Sequence, residues 1–177
     1  MLQSRNCTIT NNIFQGNSLY EGLYLGGNQN LLISNNSFRS SGGTAVSFVN
    51  NNYNVSVLNC YFGHNGNNGN NGGAINIGSN NSYVSIVATI FDSNNALSGG
   101  AIYSNNLNNY LTIASCNFSN NNAVQDGGAI FVNENHANFV LLDYTTYFHS
   151  FQLQTSHPYI NGNPVNDEPF VIYSRLV

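Results

Sequence analysis

Apolar side chains recur along the chain at fixed distances before a repeated aromatic residue. Five phenylalanines mark the repeat: Phe14, Phe38, Phe62, Phe91 and Phe118. Seven and five residues before each of them stands an apolar residue, and the residue between is mostly polar or small, as in residues 7–9 and 84–86. This alternation predicts one short β-strand per unit with a single buried face. A weaker sixth unit covers residues 139–147, where Tyr147 takes the place of the phenylalanine.

A second phrase, Gly-Gly-Ala-Ile, follows the phenylalanine of a unit after a polar segment. It occurs at residues 72–75, 99–102 and 127–130, and a looser copy lies at 42–46. A short apolar strand and an Asn-rich turn follow each copy, so that one unit reads strand, turn, strand, turn. This leaves no room for a helix between strands. Stacking of such units predicts an all-β fold, a parallel β-helix (solenoid) of about six coils.

The repeated residues have predictable places within a coil. The phenylalanines are expected to form an internal aromatic column, and the alanines of the glycine phrase a second column that admits only a small side chain. These alanines are Ala45, Ala74, Ala101 and Ala129. The glycines before them allow a positive φ at the corner. Two asparagine columns, expected to hydrogen-bond from coil to coil, consist of Asn11, Asn35 and Asn59, and of Asn12 and Asn36.

The repeat predicts a boundary near its last unit. We assign residues 1–147 to the β-helix and residues 148–177 to an irregular tail, which contains all three prolines and either caps the rod or begins another module. The first residues contain no apolar segment of a signal peptide and enter the repeat almost at once. We therefore expect a fragment of a longer chain, with a genuine start as the alternative.

Charge is unusually scarce in this chain. It has no Lys, three Arg and seven acidic residues, and Asn is very abundant. Without a basic patch, nucleic acid and anionic membrane surfaces are poor candidates as partners. No apolar run is long enough to predict membrane insertion. The Asn content alone would also suit a disordered chain, but the fixed apolar positions favour a folded repeat.

The cysteines do not indicate disulfides or a metal site. Cys60 and Cys116 occupy the same place in units that are two apart, which is roughly 9.5 Å by the strand spacing and beyond disulfide reach. Cys7 belongs to another column. We predict three unpaired, buried thiols, and neither a metal nor another cofactor. Five Asn-X-Ser/Thr sequons are candidates for N-glycosylation; they begin at Asn6, Asn35, Asn54, Asn80 and Asn117.

Candidate chemistry is sparse on the predicted coils. Polysaccharide-cleaving β-helices need carboxylates that converge from neighbouring coils, and no such pair emerges, so we expect no enzyme. One aromatic column, formed by Tyr83, Tyr110 and Phe139, stands eight residues before the repeated aromatic. If exposed, it would make a stacking strip for sugars or aromatic ligands. The alternative is an aromatic ladder that only closes a corner.

The glycine phrase is accompanied by Phe-X-X-Asn, and together they resemble the repeats of the chlamydial polymorphic membrane proteins and their Pmp-like relatives. The second motif occurs at residues 14–17, 62–65, 91–94 and 118–121. The resemblance covers roughly residues 6–150. It implies a right-handed parallel β-helix and a surface-exposed or secreted, adhesin-like passenger, and it carries no catalytic residues.

Two hypotheses for the function follow from these observations. The first is a non-catalytic structural or adhesive segment of an extracellular or cell-surface protein, with end-to-end self-association into a filament or coat. Glycans or cell-surface proteins are the expected partners. The alternative is a glycan-binding or glycan-degrading β-helix. An ice-binding solenoid would need a regular array of threonines, which the chain does not have.

Overall fold

The fold is a stack of coils, each of which runs through three parallel β-sheets. The computed structural model describes residues 4–16, 21–67, 69–105 and 107–132, and the backbone of four short strands beyond them. Sheet 1 consists of Arg5–Thr10, Gln29–Ser34, Tyr53–Leu58, Ser82–Val87, Asn109–Ala114 and Val140–Leu141. Sheet 2 consists of Ile13–Gln15, Ser37–Arg39, Tyr61–Gly63, Ile90–Asp92, Asn117–Ser119 and Tyr147–His149. Sheet 3 consists of Leu23–Leu25, Val46–Asn50, Ile75–Ser79, Ile102–Ser104 and Ile130–Val132.

Two small sheets complete the described strands. Asn95–Ala96 pairs in parallel with Asn122–Ala123, and Tyr159–Ile160 pairs antiparallel with Asn163–Pro164. The predicted all-β parallel solenoid is confirmed. Five coils contribute to all three main sheets, and the sixth adds strands to sheets 1 and 2 within the described part.

Each of the first five coils contains three strands in the main sheets, not the two that the sequence predicted. The extra break falls just before the repeated phenylalanine, where one residue per coil adopts a left-handed backbone with φ of 50° to 57°. Such a residue cannot continue a strand. The column consists of Asn11, Asn35, Asn59, Ala88 and Ser115. The asparagines in it, which we expected to form a ladder, are exposed residues that make this bend.

The sixth coil pairs one residue away from the predicted register. Val140 lies opposite Thr112, and Phe148 rather than Tyr147 lies opposite Phe118. Residues 140–142 are three apolar residues in a row. Because alternation is lost there, the pattern alone does not define which residue faces the core.

The phenylalanine column is confirmed as the centre of the core. Its rings stack almost parallel, with centroids separated by 4.6, 4.7, 5.2 and 4.8 Å along the rod. All but the first ring are buried. Burying each ring stabilises the fold by roughly 1.5–3 kcal/mol. In the alanine column, Ala45, Ala74 and Ala101 are buried as predicted, and Ala129 is partly buried.

The two glycines of the repeated phrase have different roles. The first glycine has a positive φ of 67° at Gly72, 63° at Gly99 and 60° at Gly127. The second glycine does not have a positive φ, so the positive φ that we expected at this corner is confirmed only for the first glycine. A Cβ on Gly73 would lie 2.5 Å from the carbonyl oxygens of both Asn95 and Gly100. The second glycine therefore permits close packing of neighbouring coils.

Buried asparagine ladders connect the coils at two corners, and a shorter one lies at the bend. The shorter ladder is the expected pair of Asn12 and Asn36, in which the backbone N–H of Asn12 donates to Asn36 Oδ1 at 2.9 Å. Two longer ladders escaped the sequence analysis. They consist of Asn28, Asn52, Asn81 and Asn108, and of Asn65, Asn94 and Asn121.

The last of these ladders explains the Phe-X-X-Asn motif. Asn94 Nδ2 donates to the carbonyl oxygen of Phe62 in the preceding coil at 3.1 Å and to Asn121 Oδ1 in the following coil at 2.9 Å. Asn94 Oδ1 accepts from the backbone N–H of Asn65 at 3.1 Å. Each such side chain therefore satisfies buried backbone groups that would otherwise be costly to bury.

The three cysteines are free, as predicted. Cys60 and Cys116 are buried, whereas Cys7 is only half-buried. Thr89 separates the first two along the rod, and its Oγ1 accepts from the backbone N–H of Cys60 at 3.3 Å. Burial raises the pKa of the Cys60 thiol, against the lowering effect of its hydrogen-bond interactions with Asn36, Leu58 and Asn35. The thiol is therefore a poor nucleophile.

Candidate functional site

The predicted aromatic strip exists on the outside of sheet 1. The rings of Tyr83 and Tyr110 stack with centroids 4.5 Å apart and planes 9° apart. Tyr53, which the sequence analysis missed, meets Tyr83 edge-on at 5.1 Å. All three are exposed, by 45% for Tyr83 and Tyr110 and 51% for Tyr53. We call these three residues the tyrosine strip; Phe139, the third residue predicted for it, lies outside the described residues.

Tyr53 was missed because it begins its strand one residue before the column of the other two. It pairs with Gln29 and Ser82, so it belongs to the first column of the sheet. An alignment on the phenylalanine puts it in a different column from Tyr83. Only the spatial arrangement of two neighbouring columns shows that the rings meet.

The backbone of the strip is strained. Tyr83 and Tyr110 have left-handed φ values of 56° and 54°. A bulky residue rarely adopts this conformation, which costs on the order of 1–2 kcal/mol. The first three coils place Asn6, Asn30 and Asn54 in this column, with φ of 54° to 57°. Asparagine tolerates this backbone well.

The asparagines of this column also bond to one another. Asn30 Nδ2 donates to Asn6 Oδ1, and Asn54 Nδ2 donates to Asn30 Oδ1, each at 2.8 Å. The tyrosines of the fourth and fifth coils therefore replace a residue that suits the backbone and extends the ladder. In exchange they present two stacked rings to solvent. Partial desolvation raises the pKa of Tyr83, and Tyr110 and Tyr53 raise it further.

A polar cluster that the sequence analysis did not assemble lies on the outside of sheet 2. The guanidinium of Arg39 lies over the ring of Tyr61, 4.9 Å from its centroid, and Arg39 Nε donates to Ser37 Oγ at 2.8 Å. A Cβ on Gly63 would collide with the Tyr61 ring. The absence of a side chain there lets the ring lie flat between the coils of Arg39 and Asp92.

Asp92 is the second centre of this cluster. Its carboxylate accepts hydrogen bonds from Ser119 Oγ at 2.8 Å, Ser93 Oγ at 3.2 Å and Asn120 Nδ2 at 3.3 Å. Burial by itself would raise the pKa of Asp92, but these three donors and the nearby His64 lower it overall. Arg39 and Asp92 are two coils apart, with Gly63 between them in the sheet. The contact of Arg39 with the Tyr61 ring could not be predicted from the spacing in the sequence.

Aromatic residues also face outwards on sheet 3. Tyr24 is 65% exposed, and Tyr103 stacks on Phe131 with centroids 5.4 Å apart. Between them along the sheet, Ser47 Oγ donates to Glu21 Oε1 at 2.8 Å. The chain therefore presents aromatic side chains on the outer faces of all three sheets.

The structure places four of the five sequons on the surface. Asn6, Asn35, Asn54 and Asn80 are exposed. Asn117 is half-buried, and its Oδ1 is buried with no hydrogen-bond partner. The use of any sequon stays a prediction.

Within the described ranges, no group of three or more His, Cys, Asp and Glu side chains could hold a metal ion. The same part of the chain has no helix long and apolar enough to cross a membrane.

Comparison with known proteins agrees with this architecture. The family model that describes the right-handed beta helix region matches residues 1–165. Neither a curated protein nor a solved structure matches the chain. The three-sheet coil, the internal ladders and this match together show that the chain belongs to the right-handed beta-helix family.

Proposed function

We propose that the chain is a non-catalytic structural and adhesive segment of a secreted or cell-surface protein, of the Pmp-like kind that its repeats resemble. The tyrosine strip is the observation that carries this proposal. It is an exposed aromatic surface at positions where the backbone favours asparagine. Strain of this kind that persists in a fold is associated with function.

The interior supports a role as a rigid scaffold. Stacked phenylalanines and asparagine ladders connect each coil to the next, so the outer columns are held at the strand spacing of about 4.8 Å. A surface that is fixed in this way loses little conformational entropy when it binds a partner. The fold therefore suits presentation of a repeated surface.

Glycans are the second candidate, favoured by the stacked pair of Tyr83 and Tyr110. A flat, exposed ring pair suits the apolar face of a sugar, and the tyrosine hydroxyls offer hydrogen bonds at its edge. In this proposal the strip is the adhesive contact itself.

A glycan array tests the strip directly. Tyr110→Asn removes one ring and keeps a residue that tolerates the left-handed backbone. We expect it to weaken binding about tenfold, the size of a stacking contact. Tyr24→Ala, which removes an exposed tyrosine from sheet 3, is the matched control and should bind normally. Equal binding by wild type and Tyr110→Asn would remove the strip from the proposal.

End-to-end association is the structural part of the proposal. The strand Arg5–Thr10 lies at the edge of sheet 1. Backbone groups at such an edge can pair with a second copy of the chain. Sedimentation velocity over a wide concentration range should show an increase in mass with concentration, reduced by Thr8→Pro, which removes a backbone N–H from that strand. A single monomeric species at every concentration would exclude this mode of assembly.

A further inference from the structure

We propose that the chain has a second ligand site, a groove at the bend between sheets 1 and 2, and that this groove binds an uncharged polysaccharide chain. The groove has a volume of about 560 Å³ and is lined by residues of four successive coils. We call it the bend groove; its two walls are formed by Asn11, Asn35 and Asn59, and by Ile13, Tyr61 and Ile90. It lies at the opposite end of the sheet 1 strands from the tyrosine strip.

The first wall is a row of carboxamides. Asn11, Asn35 and Asn59 are exposed and occupy the left-handed bend of successive coils. Their backbone N–H groups already donate to the carbonyl oxygens of Ser34, Leu58 and Val87, at 3.2, 3.0 and 3.2 Å. The side chains are therefore the part of these residues that a ligand can use. A carboxamide both donates and accepts, as a sugar hydroxyl group requires.

The second wall is apolar. Ile13 is 75% exposed and Ile90 is 43% exposed, because each stands directly before an inward-facing phenylalanine on its strand and so faces outwards. Ser37 and Tyr61 lie between the two isoleucines in the same column, so this wall is apolar except at Ser37. An apolar wall facing a row of amides matches a pyranose ring, which has an apolar face and a hydroxyl edge.

Charge and periodicity favour a neutral polymer. Every residue that lines the groove is uncharged. Arg39 and Asp92 follow Ser37 and Ile90 by two residues on their strands and are not among the lining residues, although the Arg39 guanidinium lies over the Tyr61 ring. Each of the four coils contributes a residue to both walls at a spacing of about 4.8 Å, with Ala88 in place of the asparagine in the fourth coil and Ser37 in place of an apolar residue in the second. This regular spacing suits a chain molecule lying along the rod.

A peptide is the less suitable occupant. Extended peptides usually bind by adding a strand to a free sheet edge. Here the strands of the second, third and fourth coils beside the groove pair with coils on both sides, and the N–H groups of the asparagines at the bend are already bonded. Only side chains remain to meet a ligand, and those side chains suit hydroxyl groups.

Titration of the full chain, made in bacteria so that Asn35 carries no glycan, tests the proposal. The probes are neutral cello-, xylo-, manno- and chitohexaose, with hexagalacturonate and an uncharged Gly/Ser hexapeptide for comparison. We expect at least one neutral hexasaccharide to bind by calorimetry and to shift the side-chain amide resonances of Asn11, Asn35 and Asn59. The double variant Asn35→Gly and Asn59→Gly keeps the left-handed bend and should weaken binding about tenfold or more. Asn51→Gly, another exposed left-handed asparagine, is the matched control.

Three results would overturn the proposal: no binding by any neutral hexasaccharide, equal binding by the double variant, or preference for the peptide or the galacturonate. The tyrosine strip is tested separately by Tyr110→Asn. Binding that is lost in Tyr110→Asn but kept in the double variant would support the strip and exclude the groove. The opposite pattern would support the groove alone.

Discussion

A column of stacked phenylalanines inside this rod can be compared with the stacked tyrosines on the outside of sheet 1. The inner rings, such as Phe91 and Phe118, have centroids 4.8 Å apart and are fully buried. The outer rings of Tyr83 and Tyr110 are 4.5 Å apart and nearly half exposed. The stacking is almost the same, but the inner column gains from burial and the outer column bears a strained backbone.

Stacking at the repeat spacing therefore stabilises the fold in the inner column, whereas in the outer column it comes with a strained backbone. The asparagines differ in the same way between the inside and the outside of the rod. Inside, Asn94 satisfies backbone groups of neighbouring coils, whereas outside Asn30 bonds to other exposed asparagines. We therefore expect inner positions to determine stability and outer positions to tolerate change.

The largest expected effect is at the inner aromatic column. Phe91→Ala removes a ring stacked on both sides and leaves a cavity, so we expect the free energy of unfolding to fall by about 3–5 kcal/mol. Denaturant unfolding measures this free energy. The variant Phe91→Leu, which fills much of the space, should lose less stability than Phe91→Ala. A loss below about 1 kcal/mol would contradict the assignment of this column as the core.

The inner asparagine ladder comes next. Asn94→Ala leaves the backbone N–H of Asn65 and the carbonyl of Phe62 without the partners they have in the ladder. Leaving buried groups unsatisfied costs about 1–3 kcal/mol each, so we expect a loss of roughly 2–4 kcal/mol in the same assay. Its exposed neighbour provides the control, since Asn95→Ala should change stability by less than about 0.5 kcal/mol.

The outer aromatic column should respond in the opposite direction. Tyr110→Asn relieves the left-handed strain of about 1–2 kcal/mol and gives up a stacking contact of about 0.5–1.5 kcal/mol. We expect stability to be unchanged or to rise by up to about 1 kcal/mol. The reverse change, Asn30→Tyr, introduces the strain and breaks two side-chain bonds, so it should destabilise. A large loss in Tyr110→Asn would remove the contrast between the two columns.

The smallest expected effect is the pH response of the outer polar cluster. Because the pKa of Asp92 is lowered in the folded chain, its contribution is present above the unfolded pKa and is lost as pH falls through the folded pKa. Melting temperature measured from neutral to acidic pH should decline less in Asp92→Asn than in wild type. At this half-exposed site the difference should stay below about 1 kcal/mol. An identical pH profile would show that the Ser119, Ser93 and Asn120 contacts do not stabilise the fold.

Much of the interior could be predicted because inward positions repeat in sequence. Phe62 and Phe91 stand in equivalent places, and stacking coils brings equivalent places together. The left-handed bend was missed because the residues there, such as Asn59 and Ala88, share a backbone angle rather than a side-chain type. The sixth coil was placed one residue too late in sheet 1, where Val140 lies opposite Thr112, and one residue too early in sheet 2, where Phe148 lies opposite Phe118. Residues 140–142 do not alternate, so the pattern did not define the register in sheet 1.

The candidate sites were predicted less completely than the core. Tyr83 and Tyr110 share a register and could be found together, whereas Tyr53 reaches them from a neighbouring column. The Arg39 guanidinium lies over the ring of Tyr61 from the neighbouring coil, and Gly63 leaves room for that ring. Such contacts depend on side-chain direction across coils, which no spacing in the sequence encodes.

The amino-acid sequence by itself therefore determined the repeat, the parallel stack and the columns of its core, because burial acts on every coil alike. Only the tertiary structure decided that each coil bends three times, which asparagines became ladders and which became bends, and which outer columns lie side by side. The reason is physical: inward side chains meet their own equivalents in the next coil. Outward side chains meet whatever the local backbone angle and the neighbouring columns place beside them.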